Sequence, residues 1–309
     1  MPVSNFPGGF ANGVTIRGVP ITVTNPGNAY WVDSGAGSNG NKGTYDRPWS
    51  TIDYAIGRCT ASNGDIIFVK PGHTETISAA SGIDLDVAGV AIIGLGKGAL
   101  RPTITLDTAN TADFDIAAAN CTIHNLLFKA NFADIVHIID VTATDAHIDN
   151  CEFLAEAADM NWVDVIDASG ADNTADGLTV TNCRAYDLDA SNDSFIEITG
   201  DIDRLTVVGN HVVHDHANAT AFIEQATGKD MINVLITDNS YQNLNTDVSG
   251  GFLISNDTTA NSGYVARNGG SHADTAGDVG VDATGVGMVE NYFSGVITAQ
   301  GYLNPAADS

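Results

Sequence analysis

The chain has 309 residues, of which 43% are hydrophobic and 16% are charged, and its net charge is −26. Apolar residues suffice for a sizeable core, whereas the clustered Lys and Arg that nucleic-acid binding needs are scarce, so we expect no nucleic-acid partner. No apolar run approaches a membrane span, and residues 1–27 show no signal-peptide pattern. We therefore expect no membrane partner and folding in a reducing cytoplasm.

Residues 1–29 are rich in Gly, Pro and Asn and show no period, which predicts an extended N-terminal arm. Residues 1–50 contain two acidic and three basic residues, while the rest of the chain contains 36 acidic and nine basic residues. The near-neutral arm is therefore predicted to dock on another surface. The residues predicted to make this contact are Phe6, Phe10, Ile16, Arg17 and Ile21.

Residues 50–59 predict a short helix, with Ser50 as its N-cap and Ile52, Ala55 and Ile56 on one apolar face. The apolar, β-branched runs that follow, at 64–69 and 90–94, predict strands.

Beyond about residue 103 two strand patterns alternate, and each copy of one pattern ends in an asparagine. These asparagines recur every 23–32 residues, a period typical of solenoids. Two strands per repeat favour a parallel β-helix over a propeller, whose blades need four strands in about 40 residues. Asparagines at matching turns are predicted to form a hydrogen-bonded ladder. The predicted ladder consists of Asn125, Asn150, Asn182, Asn210 and Asn239.

The predicted organisation is an arm over 1–29, a β-helix over 30–260, and the last coils with a C-terminal cap or arm over 261–309. Cys151 and Cys183 each directly follow a repeat asparagine. We expect them to stack in adjacent coils as small buried thiols.

Two early segments carry a more specific resemblance. GTYDRPWSTIDYA at 43–55 and GDIIFVKPGHTE at 64–75 resemble the entry of β-helix proteins of the pectin-lyase-like superfamily, where the first is a capping helix and the second the first full coil. The resemblance covers about residues 30–260. It implies an all-β, right-handed parallel β-helix solenoid with a short N-terminal capping helix near 50–59 and an extended N-terminal arm. It does not imply an activity, because fold alone does not give function.

The opening residues 2–21 are similar to N-terminal segments of β-helical virion proteins from tailed bacteriophages. This likeness implies a structural virion protein and not an enzyme, namely a capsid decoration (cement) protein or another surface-exposed component of a phage particle. Its partner would be the major capsid protein or another virion protein, bound through the arm. The likeness also implies a homotrimer, located in the virion after assembly in the host cytoplasm.

An outward-facing column of polar residues suggests the alternative, a tailspike-like polysaccharide hydrolase or lyase acting on a host glycan. Strands of adjacent coils lie about 4.8 Å apart, so two of Asp164, Glu197 and Glu224 could be separated as glycosidase carboxylates are. A solvated polar face is the simpler interpretation, with Arg184 and Arg204 as surface ion-pair partners. The predicted column consists of Asp115, His137, Asp164, Glu197 and Glu224.

A third hypothesis is a non-catalytic, glycan-binding adhesive module stabilised by calcium. No cofactor is predicted, but the stretch 187–193 imitates the first half of a calcium loop without the glycine and glutamate of an EF-hand. The calcium candidates are Asp187, Asp189 and Asp193. The glycine-rich segment 94–98 has neither dinucleotide-binding nor Walker spacing, so no nucleotide site is predicted.

Overall fold

The structure is a computed structural model that describes residues 27–155, 159–168, 170–187, 194–215, 222–244, 261–271 and 285–292. It also describes the backbone of strand residues 14–16, 19–21, 253–255, 272, 281–282, 293–295 and 300–302. Within these residues, no helix is long and apolar enough to span a bilayer.

The chain is built from short strands with a single short α-helix among the described elements. In the first half the elements are β1 (Val14–Ile16), β2 (Val19–Ile21), β3 (Ala29–Val32), α1 (Ile52–Ile56), β4 (Ile66–Val69), β5 (Thr74–Ile77), β6 (Ile83–Asp84), β7 (Ala91–Gly94), a 3₁₀ turn (Gly98–Leu100), β8 (Thr103–Leu106), β9 (Phe114–Ile116), β10 (Thr122–His124), β11 (Leu127–Ala130), β12 (Ile135–Val141), β13 (His147–Asp149) and β14 (Glu152–Ala155). In the second half they are β15 (Trp162–Ala168), β16 (Thr179–Thr181), β17 (Arg184–Tyr186), β18 (Ile196–Ile198), β19 (Ile202–Asp203), β20 (Thr206–Val208), β21 (His211–His214), β22 (Ile223–Gln225), β23 (Met231–Ile232), β24 (Val234–Thr237), β25 (Ser240–Asn243), β26 (Leu253–Ser255), β27 (Gly263–Ala266), β28 (Gly269–His272), β29 (Val281–Asp282), β30 (Gly287–Val289), β31 (Tyr292–Gly295) and β32 (Gln300–Tyr302).

Three long sheets run along the solenoid, and each full coil from β4 to β29 contributes one strand to each sheet, which makes three strands per coil instead of the predicted two. The first sheet has the order β3-β4-β7-β10-β13-β16-β20-β24-β27-β30, the second β5-β8-β11-β14-β17-β21-β25-β28-β31-β32, and the third β6-β9-β12-β15-β18-β22-β26-β29. Pairing along them is parallel except where β32 closes the second sheet antiparallel to β31. The predicted parallel β-helix is confirmed.

The core lies between the sheets and is formed by like side chains stacked from coil to coil. In the second sheet the rings of Phe128 and Phe153 stack with centroids 5.4 Å apart, and those of Phe195 and Phe222 lie 5.3 Å apart in the third-sheet region. An aliphatic column of the first sheet runs in register through Ile67, Ile92, Ile123, Ile148, Val180, Val207, Ile236 and Val265. These stacks explain the period-two apolar pattern of the sequence.

The helix α1 covers the N-terminal end of the core, as predicted, and buries Ile52, Ala55 and Ile56. Its capping differs from the prediction. The N-cap residue is Thr51, which makes no side-chain cap, and the Ile52 N–H instead donates to Glu75 Oε2 of β5 at 2.9 Å. A carboxylate from the next coil therefore satisfies a helix N–H that no local side chain reaches.

The turns between the first and second sheets place the repeat asparagines in two columns instead of one. The left-handed position is held in successive coils by Asn125, Asn150, Asn182, Gly209, Asp238, Arg267 and Glu290, all at positive φ. The next position, which faces inward, is held by Leu126, Cys151, Cys183, Asn210, Asn239, Asn268 and Asn291. The predicted ladder is therefore divided, with Asn125, Asn150 and Asn182 in the outer column and Asn210 and Asn239 in the inner one.

The inner asparagines form a buried hydrogen-bonded ladder. At Asn239, Nδ2 donates to Asn268 Oδ1 at 3.0 Å and to the Val207 carbonyl at 2.9 Å. Asn239 Oδ1 accepts from the backbone N–H and from the Nδ2 of Asn210, both at 2.9 Å. The side-chain amide thereby uses both donors and both lone pairs, which is what makes burying it tolerable.

The predicted stacking of Cys151 and Cys183 is confirmed, since both are buried free thiols at the inner position of adjacent coils. Their small side chains occupy the inner position that asparagine takes in later coils.

Candidate active site

A continuous column of six acidic residues, here called the acid column, runs along the outer face of the third sheet. Within each strand the neighbouring residues point into the core, as Phe114 and Ile116 do around Asp115. Beyond the last acid the same register continues to Ile254 and Asp282. Strand pairing gives the acid column as Asp84, Asp115, Asp140, Asp167, Glu197 and Glu224.

The predicted column was wrong at two of its five positions. His137 and Asp164 are register partners of each other, but they precede the acid column by three residues in their strands. The places assigned to them belong to Asp140 and Asp167.

The cause is an interruption of the in-out alternation in the two longest strands of the sheet. Ile138 and Ile139 are consecutive and both buried, and so are Val165 and Ile166. A pair of consecutive inward residues shifts the side-chain phase, so a period-two pattern counted from the strand start fails before the strand ends. Val136, which strict alternation with His137 outward would place inward, is 42% exposed.

Asp164, one of the predicted catalytic candidates, has a structural role. It is only 4% exposed, and its Oδ1 accepts from the Ser194 N–H at 3.0 Å and from the Ser194 hydroxyl at 2.6 Å. This carboxylate ties β15 to the segment that leads into β18. Glu197 and Glu224, the other two candidates, do lie in the acid column and are half-buried.

His137 joins the acid column to the residues beside it. Its Nδ1 lies 3.4 Å from Asp167 Oδ2, and its Nε2 lies 3.3 Å from Asp113 Oδ2. Burial by itself would lower the pKa of His137, but the contacts with Asp113 and Asp167 outweigh it and raise the pKa to about 10. The ring is thus an imidazolium at neutral pH, with both nitrogens donating.

Within the acid column, the carboxyl of Asp115 has a clearly raised pKa. Burial raises its pKa to about 6, and repulsion from Asp113 and Asp140 adds to the rise, against a hydrogen bond from the Ser81 hydroxyl. A carboxyl that titrates near pH 6 beside further carboxylates can hold a proton and deliver it to a substrate. Divergent carboxyl pKa values within one site are the usual basis for dividing acid and base roles.

The remaining predicted sites fall largely outside the described side chains. Of the arm residues only the backbones of Ile16 and Ile21 are described, where β1 and β2 pair antiparallel. The calcium candidates Asp189 and Asp193 lie outside the described residues, while Asp187 is fully buried. Among the described side chains, no group of three or more His, Cys, Asp or Glu has a geometry suited to a metal ion.

The fold and the acid column together define a parallel β-helix protein with a carboxylate-lined outer face. No protein-family model and no curated protein match the sequence. Among solved structures, the chain is similar to a rhamnogalacturonan lyase, at 13% identity over 85% of this chain and 84% of that one, with a TM-score of 0.45. It is also similar to the pectate lyase Pel9A, at 12% identity over 82% and 77% of the two chains, with a TM-score of 0.36.

A third similar structure is that of the surface protein and adhesin PfbA of Streptococcus pneumoniae. It shares 12% identity over 79% of this chain and 92% of that one, with a TM-score of 0.31. At such identities the likeness is one of fold alone. Against the prediction that this chain is not an enzyme, the structures of similar fold include two that are named as lyases.

Proposed function

We propose that this chain is a glycoside hydrolase whose catalytic pair is Asp115 and Asp140. The observation that carries the proposal is the register of the acid column, which places a carboxyl of raised pKa directly beside a second carboxylate on the neighbouring strand. The proposal develops the tailspike-like alternative while replacing its residues, since Asp164 is buried in a structural contact.

The strand spacing indicates the stereochemical course. Neighbouring strands lie about 4.8 Å apart, which is close to the ~5–5.5 Å between the carboxyl groups of retaining glycosidases. In the first step Asp140 attacks the anomeric carbon while Asp115 gives its proton to the leaving oxygen. In the second step Asp115 takes a proton from water, which attacks the same carbon and releases Asp140.

The charge of the site favours a neutral glycan. Five further carboxylates share the face with Asp115, and the imidazolium of His137 offsets only part of their charge. A polyuronate would be repelled from this face, whereas a neutral sugar can hydrogen-bond to the carboxylates.

The experiment is hydrolysis of a panel of neutral polysaccharides, with new reducing ends as the readout. Asp115→Asn and Asp140→Asn should each lower kcat by about 10²–10⁴-fold with the fold intact. Glu224→Gln is the matched control, because it removes an acid of the same column about 19 Å from Asp115, four strand spacings away. Azide should restore turnover to Asp140→Ala and give a glycosyl azide, since a small anion can occupy the place of the missing nucleophile. A wild-type rate in Asp115→Asn, or no cleavage of any glycan, would refute the proposal.

We also propose a setting for this activity, at the surface of a phage particle to which residues 1–29 attach the chain. Two observations favour it: the contrast in charge between the first 50 residues and the rest, and the β1–β2 hairpin, which pairs with none of the three long sheets in the described backbone. The partner would be a virion protein. Deletion of residues 1–27 should leave a folded β-helix that no longer joins particles, and normal incorporation of the deletion variant would exclude the arm as the attachment.

A further inference from the structure

A cleft of about 480 Å³ opens at the turns between the first and second sheets, away from the acid column. Its volume lies within the range of small-molecule sites, ~300–1,000 Å³. The lining of this cleft is basic, whereas the chain as a whole has a net charge of −26. Only one carboxylate, that of Glu152, lines the cleft. The basic side chains that line it are Lys97, Arg101, Arg184 and His211.

Arg101 is a preorganised donor at this cleft. Its side chain is only 10% exposed; one terminal nitrogen donates to the Asn150 carbonyl at 2.8 Å, and the other lies 3.3 Å from Glu152 Oε1. The Nε atom is buried and has no hydrogen-bond partner. A guanidinium held in place with a donor to spare is suited to binding an oxyanion, since little side-chain freedom is lost on binding.

The loop that carries Lys97 and Arg101 depends on a close backbone approach. Gly96 has a φ of 113°, and a Cβ at this position would lie 2.3 Å from the Leu100 carbonyl oxygen. Asn125 Nδ2 donates to the Gly96 carbonyl at 3.1 Å and fixes the loop against the turn of the next coil. The glycine-rich segment 94–98 therefore places Lys97 at the cleft through this close backbone approach, although the segment lacks the spacing of a nucleotide-binding loop.

Two of the cations have no counter-ion in the part of the chain that the structure describes. Among the residues that the structure describes, no carboxylate lies within ion-pair distance of Lys97 or Arg184, and both side chains are exposed. Of the two arginines expected to form surface ion pairs, Arg204 does pair, with Asp145 at 3.5 Å and Asp203 at 3.4 Å, while Arg184 has no partner among the described carboxylates. Unpaired cations in a concave site on an acidic protein raise the local concentration of anions.

We propose that this cleft binds an anionic sugar, that is, a sugar ring bearing a carboxylate or a phosphate group. Arg101, Arg184 and Lys97 would bind the oxyanion, and His211, the register partner of Arg184 on the next strand, would bind beside them. Tyr186 lies two residues beyond Arg184 on the same face and is 48% exposed, which offers a flat surface for the sugar ring. The site is independent of the acid column and of any hydrolysis there.

The test is calorimetric titration of the full-length protein with glucuronate, with a glucose phosphate and with neutral glucose. We expect at least one of the two anions to bind, with an affinity that falls as salt is added, and glucose to bind at least about tenfold more weakly. Binding of glucuronate alone would identify a uronate site, and binding of the sugar phosphate alone a phosphate site.

Arg184→Gln should weaken binding about tenfold or more, because it removes a charge-assisted donor from an exposed position without disturbing the core. The matched control is Arg204→Gln, which removes an exposed, ion-paired arginine outside the cleft and should leave the affinity unchanged. Asp115→Asn should also bind normally, so that failure of the hydrolase proposal and failure of this one are distinguishable. Equal binding of glucose, equal losses in the two arginine variants, or no binding of either anion would overturn the proposal.

Discussion

The Nδ1 atom of His137 lies 3.4 Å from the Oδ2 atom of Asp167, although the two residues belong to different positions of neighbouring coils. The same ring contacts Asp113 on its other side, so one imidazolium on β12 bridges two carboxylates, one from each neighbouring coil. This cation offsets part of the negative charge at the middle of the acid column. His137 is therefore important both for the stability of the third sheet and for the charge state of the proposed active site.

A pH dependence of stability follows from His137. Its folded pKa is raised to about 10, whereas a histidine in an unfolded chain titrates near about 6.5. The folded state holds the proton more tightly, so the stabilisation is fully present below about pH 6.5 and is lost as pH rises through about 10. In His137→Gln the free energy of unfolding should be lower than in the wild type, and it should no longer decrease in this way as the pH rises through about 10. Urea unfolding of both proteins across this range is the measurement, and parallel pH curves would contradict the prediction.

The activity proposed for Asp115 should depend on pH in a defined direction. Because Asp115 must be protonated to act as the acid, kcat/KM should fall as pH rises through about 6. The hydrogen bond from Ser81 lowers the pKa of Asp115, so Ser81→Ala should move the alkaline limb of the profile to higher pH. Glu224→Gln should leave that limb in place. A Ser81→Ala profile that coincides with the wild type would show that another group sets the limb.

The inner and outer asparagine columns should differ in their contribution to stability. Asn239→Ala removes the acceptor of the buried Asn210 backbone N–H and one of the two acceptors of Asn210 Nδ2, which should cost about 2–4 kcal/mol. Asn182→Gly is the control, since Asn182 is exposed and glycine accepts its left-handed backbone, and it should cost less than about 1 kcal/mol. The midpoints of urea unfolding compare the two. Similar losses would mean that the buried ladder has no special role.

The cysteines should be unreactive in the folded chain. Burial raises the pKa of Cys183 and of Cys121, and burial together with Asp65 raises the pKa of Cys59 to about 12. Since the thiolate is the reactive form, a thiol reagent near neutral pH should label these three only after denaturation. Mass spectrometry of native and denatured samples gives the labelled sites. Fast labelling of native Cys183 would contradict the buried stack.

Much of the fold could be predicted because each sequence repeat corresponds to one coil of the solenoid. Ile123, Ile148 and Val180 recur at matching places in the sequence, and each marks the same inward position of successive coils. The helix over Ile52–Ile56 was likewise predictable from its apolar face, but its cap was not. The Glu75 carboxylate that caps the helix comes from another coil, and no local sequence pattern predicts such a contact.

The register of the acid column was the main failure. Only the pairing of β12 with β9 and β15 shows that Asp140 and Asp167, and not His137 and Asp164, stand beside Asp115 and Glu197. The doubled inward residues that shift the phase are apolar like any other strand residue. A sequence does not distinguish a strand that stays in phase from one that changes phase halfway.

By itself, then, the sequence determined the solenoid, its repeating apolar columns and the acidity of its outer surface, because these depend on periodicity and composition. The tertiary structure alone decided which polar groups meet. Arg101 and Arg184 are far apart in the chain, yet they line one cleft, because coil-to-coil hydrogen bonding brings residues about 30 positions apart to within a strand spacing of each other. Proximity in a solenoid is set by strand register, and register is fixed by backbone pairing between coils.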